Sequence, residues 1–155
     1  MIKGMKVRNL LRKGQELYWA GNLEAAEEML KKAYQLDYLD FGVIIYLGLV
    51  LNNLGQAERA EELLTKARQL EPENSAGLIF SGLIAYDKNH LNQAESYWRE
   101  ALVREENNPL ATAFLSLINL RNSRKVALPQ LNSGELYPQI EFLARLLLEL
   151  EKENV

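Results

Sequence analysis

Few side chains in this sequence have the chemistry for catalysis. There is one histidine, His90, and no cysteine. A disulfide framework, thiolate metal sites, a cysteine nucleophile and any site built on two imidazoles are therefore excluded. His90 stands in the polar stretch Lys88-Asn89-His90-Leu91-Asn92, which reads as a solvated turn. No glycine-rich phosphate loop, His-x-x-x-His pair or nucleophile elbow occurs. The acidic pairs Glu27-Glu28 and Glu61-Glu62 each follow an alanine that a helix would pack, so they are expected to face solvent. A carboxylate dyad with a raised pKa needs burial or a tightly shared site, and neither is suggested. The expectation is a protein that is not an enzyme, with no catalytic residue, no metal and no cofactor.

Composition bounds the remaining possibilities. The chain has 155 residues, of which 48% are hydrophobic and 25% charged, an ordinary globular balance that predicts one domain over 1–155. With 18 basic and 21 acidic residues the net charge is −3, which gives no reason to expect a nucleic-acid partner. Nine glycines and four prolines are few for an all-β chain full of tight turns. The first 13 residues carry Lys3, Lys6, Arg8, Arg12 and Lys13 and no acid. A secretory signal would need an apolar stretch of about 7–15 residues behind that basic start, and Asn9, Arg12, Lys13, Gln15 and Glu16 interrupt it. The longest apolar run is 11 residues, 41–51, short of the roughly 20 that a membrane-spanning helix needs. A soluble, cytoplasmic chain without a membrane span is expected.

The informative feature is a period of 34 residues. Gly14, Gly48 and Gly82 recur at that spacing, as do Ala26, Ala60 and Ala94, and Ala33, Ala67 and Ala101. Leu10, Ile44 and Leu78 agree, and Leu30, Leu64 and Trp98 keep a bulky apolar residue. Gly21, Gly55 and Asn89 all suit a left-handed backbone. Asp37, Glu71 and Glu105 fall near the end of each unit, and Glu27, Glu61 and Glu95 follow the first alanine. Three units result, 7–40, 41–74 and 75–108.

Each unit predicts two helices. In the second, one helix runs to Gly55, which takes positive φ without steric cost, and another runs to Glu71-Pro72, where proline cannot continue it. Gly48 on one helix and Ala60 on the next let two backbones approach near the lower end of the 8–10 Å packing range. Ala67 does the same towards the following unit, and Leu64 fills the space between. Trp98 holds the bulky slot of unit three and is expected in the core. Trp19, beside a turn, suits either packing or a groove edge.

The order Gly48, Leu51, Gly55, Ala60, Leu64, Ala67, Pro72 resembles the tetratricopeptide repeat, and the resemblance covers 7–108 in three copies that share phase. The family's frequent tryptophan is replaced by Leu10, Ile44 and Leu78, and its tyrosine by Leu17, Leu51 and Ala85. Proline ends only unit two; Tyr38 and Glu106 stand at that position in the others. The resemblance implies an all-α solenoid of stacked antiparallel helix pairs whose first helices line a concave face. It also implies a scaffold or adaptor for another protein.

Residues 109–122 open with Pro109, favourable in a first helical turn, and repeat the phase of a first helix, with Thr112, Ser116 and Asn119 as a polar stripe. A linker over 123–134 precedes an apolar C-terminal helix over 135–152. Its residues Leu136, Ile140, Leu143, Leu147 and Leu150 belong to more apolar surface than a cap with one buried side requires. They are expected either to pack back on the array or to form a homodimer seam.

Carried onto this chain, the family's lining positions are Arg8, Leu11, Gln15 and Tyr18 in unit one and Ile45, Leu49 and Asn52 in unit two. Unit three supplies Ala76, Ile79, Leu83 and Tyr86, with Leu117 beyond. Phase agrees independently: Ile45, Leu49 and Asn52 are spaced i, i+4, i+7 and offset from the packing set Ile44, Leu47, Gly48 and Leu51. The lining is apolar, and an apolar patch open to water would mark a binding site. The family's two-carboxylate clamp for acidic chaperone termini needs cationic and amide side chains at five positions that here hold Leu11, Gln15, Tyr46, Ala76 and Phe80. None is cationic, so that activity is not expected. An apolar segment or helix of another protein is the expected ligand. Two alternatives remain. The length and three repeats also resemble type III secretion chaperones for hydrophobic secreted proteins, although those carry a helical segment ahead of repeat one and only six residues precede it here. The other alternative is an assembly module that homodimerises through the C-terminal helix.

Overall fold

The computed structural model describes residues 2–124, and its described residues form seven α-helices and no strand. In chain order these are α1 (Ile2–Trp19), α2 (Leu23–Leu36), α3 (Phe41–Asn53), α4 (Ala57–Leu70), α5 (Ser75–Asp87), α6 (Leu91–Arg104) and α7 (Pro109–Arg124). They pack as the antiparallel pairs α1/α2, α3/α4 and α5/α6, with α7 against α6, and the first helices α1, α3 and α5 also touch in sequence. The expected linker and C-terminal helix, with Leu136, Ile140, Leu143, Leu147 and Leu150, lie outside the described residues, apart from residues 123 and 124, which continue α7. At the other end, α1 begins five residues ahead of the first unit.

The turns within each pair follow from one residue each. Gly21 and Gly55 have φ of 80°, and Asn89 has φ of 62°, the left-handed conformation that ends a helix at little cost for glycine and asparagine. The next residue donates back across it each time: Asn22 N to Leu17 O at 2.9 Å, Gln56 N to Leu51 O at 2.8 Å and His90 N to Ala85 O at 2.8 Å. His90 is thus the exposed residue that opens α6.

The turns between pairs use a second recurring device. Asp40, Asn74 and Asn108, again 34 apart, cap α3, α5 and α7: their Oδ1 atoms accept from Val43 N at 2.9 Å, Ala76 N at 3.0 Å and Ala111 N at 3.0 Å. Each satisfies one of the amide groups that a helix start leaves without an internal partner.

Small residues set the distance within a pair. Ala26, Ala60, Ala94, Ala33, Ala67 and Ala101 are all fully buried. A Cβ placed on Gly48 would stand 3.3 Å from Leu64, one on Gly14 would stand 2.6 Å from Leu30, and one on Gly82 would enter the Trp98 indole. Gly77 serves the contact between pairs, since a Cβ there would meet Arg68 Cγ at 2.8 Å. Trp98 lies in the core, donates from Nε1 to Ile79 O at 3.0 Å, and stacks on Phe114 with ring centroids 4.7 Å apart. One core runs without a break from Tyr18 to Ile118. Among the described residues no helix is long and apolar enough to cross a membrane.

Candidate functional site

The first helices differ from the second in what they bury. On α2, α4 and α6 the buried residues are three per helix, along one stripe. On α3 and α5 the buried residues go all the way round. The stripe of Ile44, Leu47, Gly48 and Leu51 is used against the partner helix, as the Gly48–Leu64 approach shows. The lining stripe is equally buried: Ile45 is 4% exposed, Leu49 3%, Ile79 3% and Leu83 1%. Tyr18, Tyr86 and Leu117 are buried as well. Leu11, Gln15, Asn52 and Ala76 are half-buried, and Arg8 is exposed. The lining is therefore apolar, as its composition predicts, but its aliphatic floor is not an open patch: those side chains are members of the continuous core. Periodicity sets the direction of a side chain and leaves open what lies against it.

Three aromatic rings meet between the end of α1 and the first half of α3. Trp19 is 43% exposed. It meets Tyr18 edge-on at 4.7 Å between centroids and 69° between planes, and meets Tyr46 at 6.3 Å and 86°. Tyr18 and Tyr46 complete the trio at 6.1 Å and 84°. Three rings nearly perpendicular to one another, in the edge-to-face arrangement their quadrupoles favour, form a corner. Beside it, Asn52 Nδ2 donates to Asp87 Oδ2 at 2.8 Å and joins the ends of α3 and α5. The Tyr18 hydroxyl connects the two halves. It is buried, makes no hydrogen bond of good geometry among the described residues, and has the Asn53 amide and the Asp87 charge close by. Burial pushes this phenol up to about 12, which Asn53 offsets only in part. Partial loss of solvent likewise raises the Asp87 carboxyl above its usual range, against the lowering effect of the Asn52 bond. Asn53 and Asp87 are absent from the lining set that sequence suggests, although Trp19, Asn53 and Asp87 are themselves 34 apart, and Tyr46 enters it only as one of the five clamp positions.

The opposite face carries ordinary surface chemistry. Glu28 pairs with Lys32 at 2.6 Å and Glu61 with Lys88 at 3.2 Å, and Glu27 pairs with Lys31. The bond to Lys32 holds the Glu28 carboxyl below its usual range, the reverse of what a general acid needs. Lys66 lies 4.9 Å from the Tyr34 ring centre and 4.8 Å from that of Tyr38. It closes a cleft of about 360 Å³ whose walls include Leu47, Leu51 and Leu63. Among the described residues no group of three or more His, Cys, Asp or Glu stands close enough to hold a metal ion.

No family model matches the sequence, and no curated protein is found as its relative. Solved structures are similar in fold. An O-GlcNAc transferase mutant from Thermobaculum terrenum superimposes with a TM-score of 0.72 at 20% identity over 79% of this chain, which spans only 24% of that protein. The first tetratricopeptide domain of Spaghetti (RPAP3), bound to the HSP90 peptide SRMEEVD, gives 0.67 at 20% identity, covering 77% of this chain and 94% of its own. The Yersinia enterocolitica type III secretion chaperone SycD, in complex with a peptide of the translocator YopD, gives 0.64 at 20% identity, covering 75% and 94%. Residues 2–124 thus have the fold of a tetratricopeptide-repeat solenoid.

Proposed function

We propose that this chain is a non-catalytic scaffold or adaptor that takes an apolar segment or helix of another protein along the face lined by α1, α3 and α5. The observation that carries the reading is the second buried stripe on α3 and α5. Packing within the pairs uses Ile44, Gly48, Leu51 and their equivalents. Ile45, Leu49, Ile79 and Leu83 are apolar beyond that need, and a helix apolar all round is built to be covered. Apolar anchors on the partner would contribute about 1.5–3 kcal/mol each on burial, enough for a micromolar complex after ordering costs of several kcal/mol. The solved neighbours support a peptide-presenting role, since one holds an HSP90 peptide and another a YopD peptide. The chemistry of the acidic HSP90 peptide does not transfer, because the five clamp positions here lack a cation.

The test uses lining residues that are half-buried, so that charge is introduced without entering the core. The full chain carrying Leu11→Glu and Tyr46→Glu should keep its helicity and lose the protein that the unaltered chain captures from a lysate. The control carries Arg59→Glu and Lys66→Glu on the opposite face and should capture it unchanged. Capture lost by the control and kept by the lining variant would place the binding surface on the other side.

A further inference from the structure

Each later first helix rests on the second helix of the pair before it: α3 on α2, α5 on α4 and α7 on α6. The furrow between α3 and α4 is closed in this way, its apolar floor of Leu47, Leu51 and Leu63 being faced by Lys31 and Tyr34 of α2. The equivalent furrow between α1 and α2 has no described helix in that place. Met29 stands in it 34 residues before Leu63, and Lys13 34 before Leu47. About 440 Å³ of free space lies against Ile2, Met5, Leu10 and Met29, with Lys6 and Lys13 at its rim. Ile2 and Met5 are exposed large apolar side chains, and Lys3, Lys6 and Lys13 are exposed beside them. The Lys13 ammonium stands 3.9 Å from Glu16, a surface contact that holds it weakly.

Charge selects what can lie there. Residues 1–13 carry five bases and no acid, so two such ends brought together repel. The complement is in the same sequence. Residues 135–153, outside the described residues, carry five acids against Arg145 and Lys152. Among the acids run Leu136, Ile140, Leu143, Leu147 and Leu150, spaced alternately by four and three, the seam of a helix that packs on another. We propose that this C-terminal segment of a second copy lies in the α1/α2 furrow, its apolar stripe on Ile2, Met5 and Met29 and its acids beside the lysines. It takes for α1 the place that α2 takes for α3. Folding back within one chain would carry residues 125–134 past three helix-to-helix steps of about 8–10 Å each and then beyond α1. That uses nearly all of the about 33–36 Å that they span when fully extended. A second copy imposes no such path, and two copies that exchange segments close a symmetric dimer. The furrow is separate from the lining of α3 and α5, so this interface does not depend on the groove reading.

Sedimentation velocity of the full chain, from low to high micromolar concentration, tests the interface. The unaltered chain should sediment as a dimer, and added salt should favour the monomer. Lys3→Glu, Lys6→Glu and Lys13→Glu together should weaken dimerisation by about ten-fold or more. Glu141→Lys, Glu149→Lys and Glu151→Lys together should do the same. Mixed in equal amounts, the two altered chains should form a heterodimer, because each furrow then meets a segment of opposite charge. That rescue also shows that both altered chains keep their fold, which circular dichroism checks separately. A monomer at every concentration overturns the proposal, and so does a mixture that forms no heterodimer. A dimer that the three lysine replacements leave intact and the three glutamate replacements abolish overturns it in favour of a seam between two C-terminal segments. A monomeric chain that binds vesicles of anionic lipid, and loses them with the lysine replacements, overturns it in favour of a membrane surface.

Discussion

Gly82 is the residue at which one methyl group should be felt most. A Cβ there enters the Trp98 indole, and that ring has no freedom to retreat. It is fully buried, fixed by its Nε1 bond to Ile79 O at 3.0 Å, and stacked on Phe114. At the equivalent Gly48 the new methyl group meets the end of a leucine side chain at 3.3 Å, which can shift by a few tenths of an ångström. Both substitutions gain roughly 1 kcal/mol of helix propensity, so overpacking decides the sign. Gly82→Ala should destabilise the fold by about 1–3 kcal/mol net of that gain, whereas Gly48→Ala should lie within about 1 kcal/mol of neutral. Urea midpoints measure both. Equal costs would mean that the Trp98 ring is not the fixed point that its contacts indicate. The same reasoning forbids testing the groove at Leu49 or Leu83: at 3% and 1% exposure a carboxylate would first cost folding.

The helix is the scale at which sequence was most legible, and also where it was read incompletely. The pairs, the left-handed turns at Gly21, Gly55 and Asn89 and the close glycine contacts follow from the 34-residue spacing, because each has a steric cause that a residue type declares. The caps Asp40, Asn74 and Asn108 stand on the same spacing and were legible too, as side-chain oxygens ahead of α3, α5 and α7. The corner was less so. Trp19 and Tyr46 come from two helices, as do Asn52 and Asp87, and no local pattern says that either pair meets. Asn108 gives the element scale its prediction. Its Oδ1 caps α7, and its Nδ2 donates to Glu105 Oε2 at 2.9 Å, while Ser75 Oγ donates to the same oxygen at 2.7 Å. Ser75 first and Asn108 second hold the Glu105 carboxyl below its usual range. A lowered carboxyl stabilises the fold above the unfolded value near 4.5, and that contribution is lost as pH falls through the folded value. Asn108→Ala should cost about 0.5–2 kcal/mol through the lost cap and move the Glu105 titration up towards its ordinary position. An NMR titration that finds Glu105 unmoved would separate it from the cap.

At the scale of the whole molecule, stacking is nearly one-dimensional: each pair packs on its neighbours in sequence, so stability is a sum of pair and interface contributions. The interior helices α3 and α5 have first-helix neighbours on the side of α1 or on each other, and they carry most of the buried lining. The first pair stands differently. On α1 only Val7, Gly14 and Tyr18 are buried, and Val7 belongs to a small separate cluster with Ala33 and Val43. Its early residues Ile2 and Met5 are 86% and 56% exposed. Disturbing the α1/α2 contact should therefore open that pair without melting the rest. Gly14→Ala does this directly, because its Cβ would stand 2.6 Å from Leu30 Cγ. Amide exchange in α1 and α2 should accelerate by about ten-fold or more, the effect of roughly 1.4 kcal/mol of local destabilisation, while α5 and α6 keep their protection. Equal acceleration in all four helices would show that the continuous core from Tyr18 to Ile118 couples the array into one cooperative unit. In that event a partner seated on α3 and α5 would also stabilise α1, and its binding would be felt along the whole solenoid.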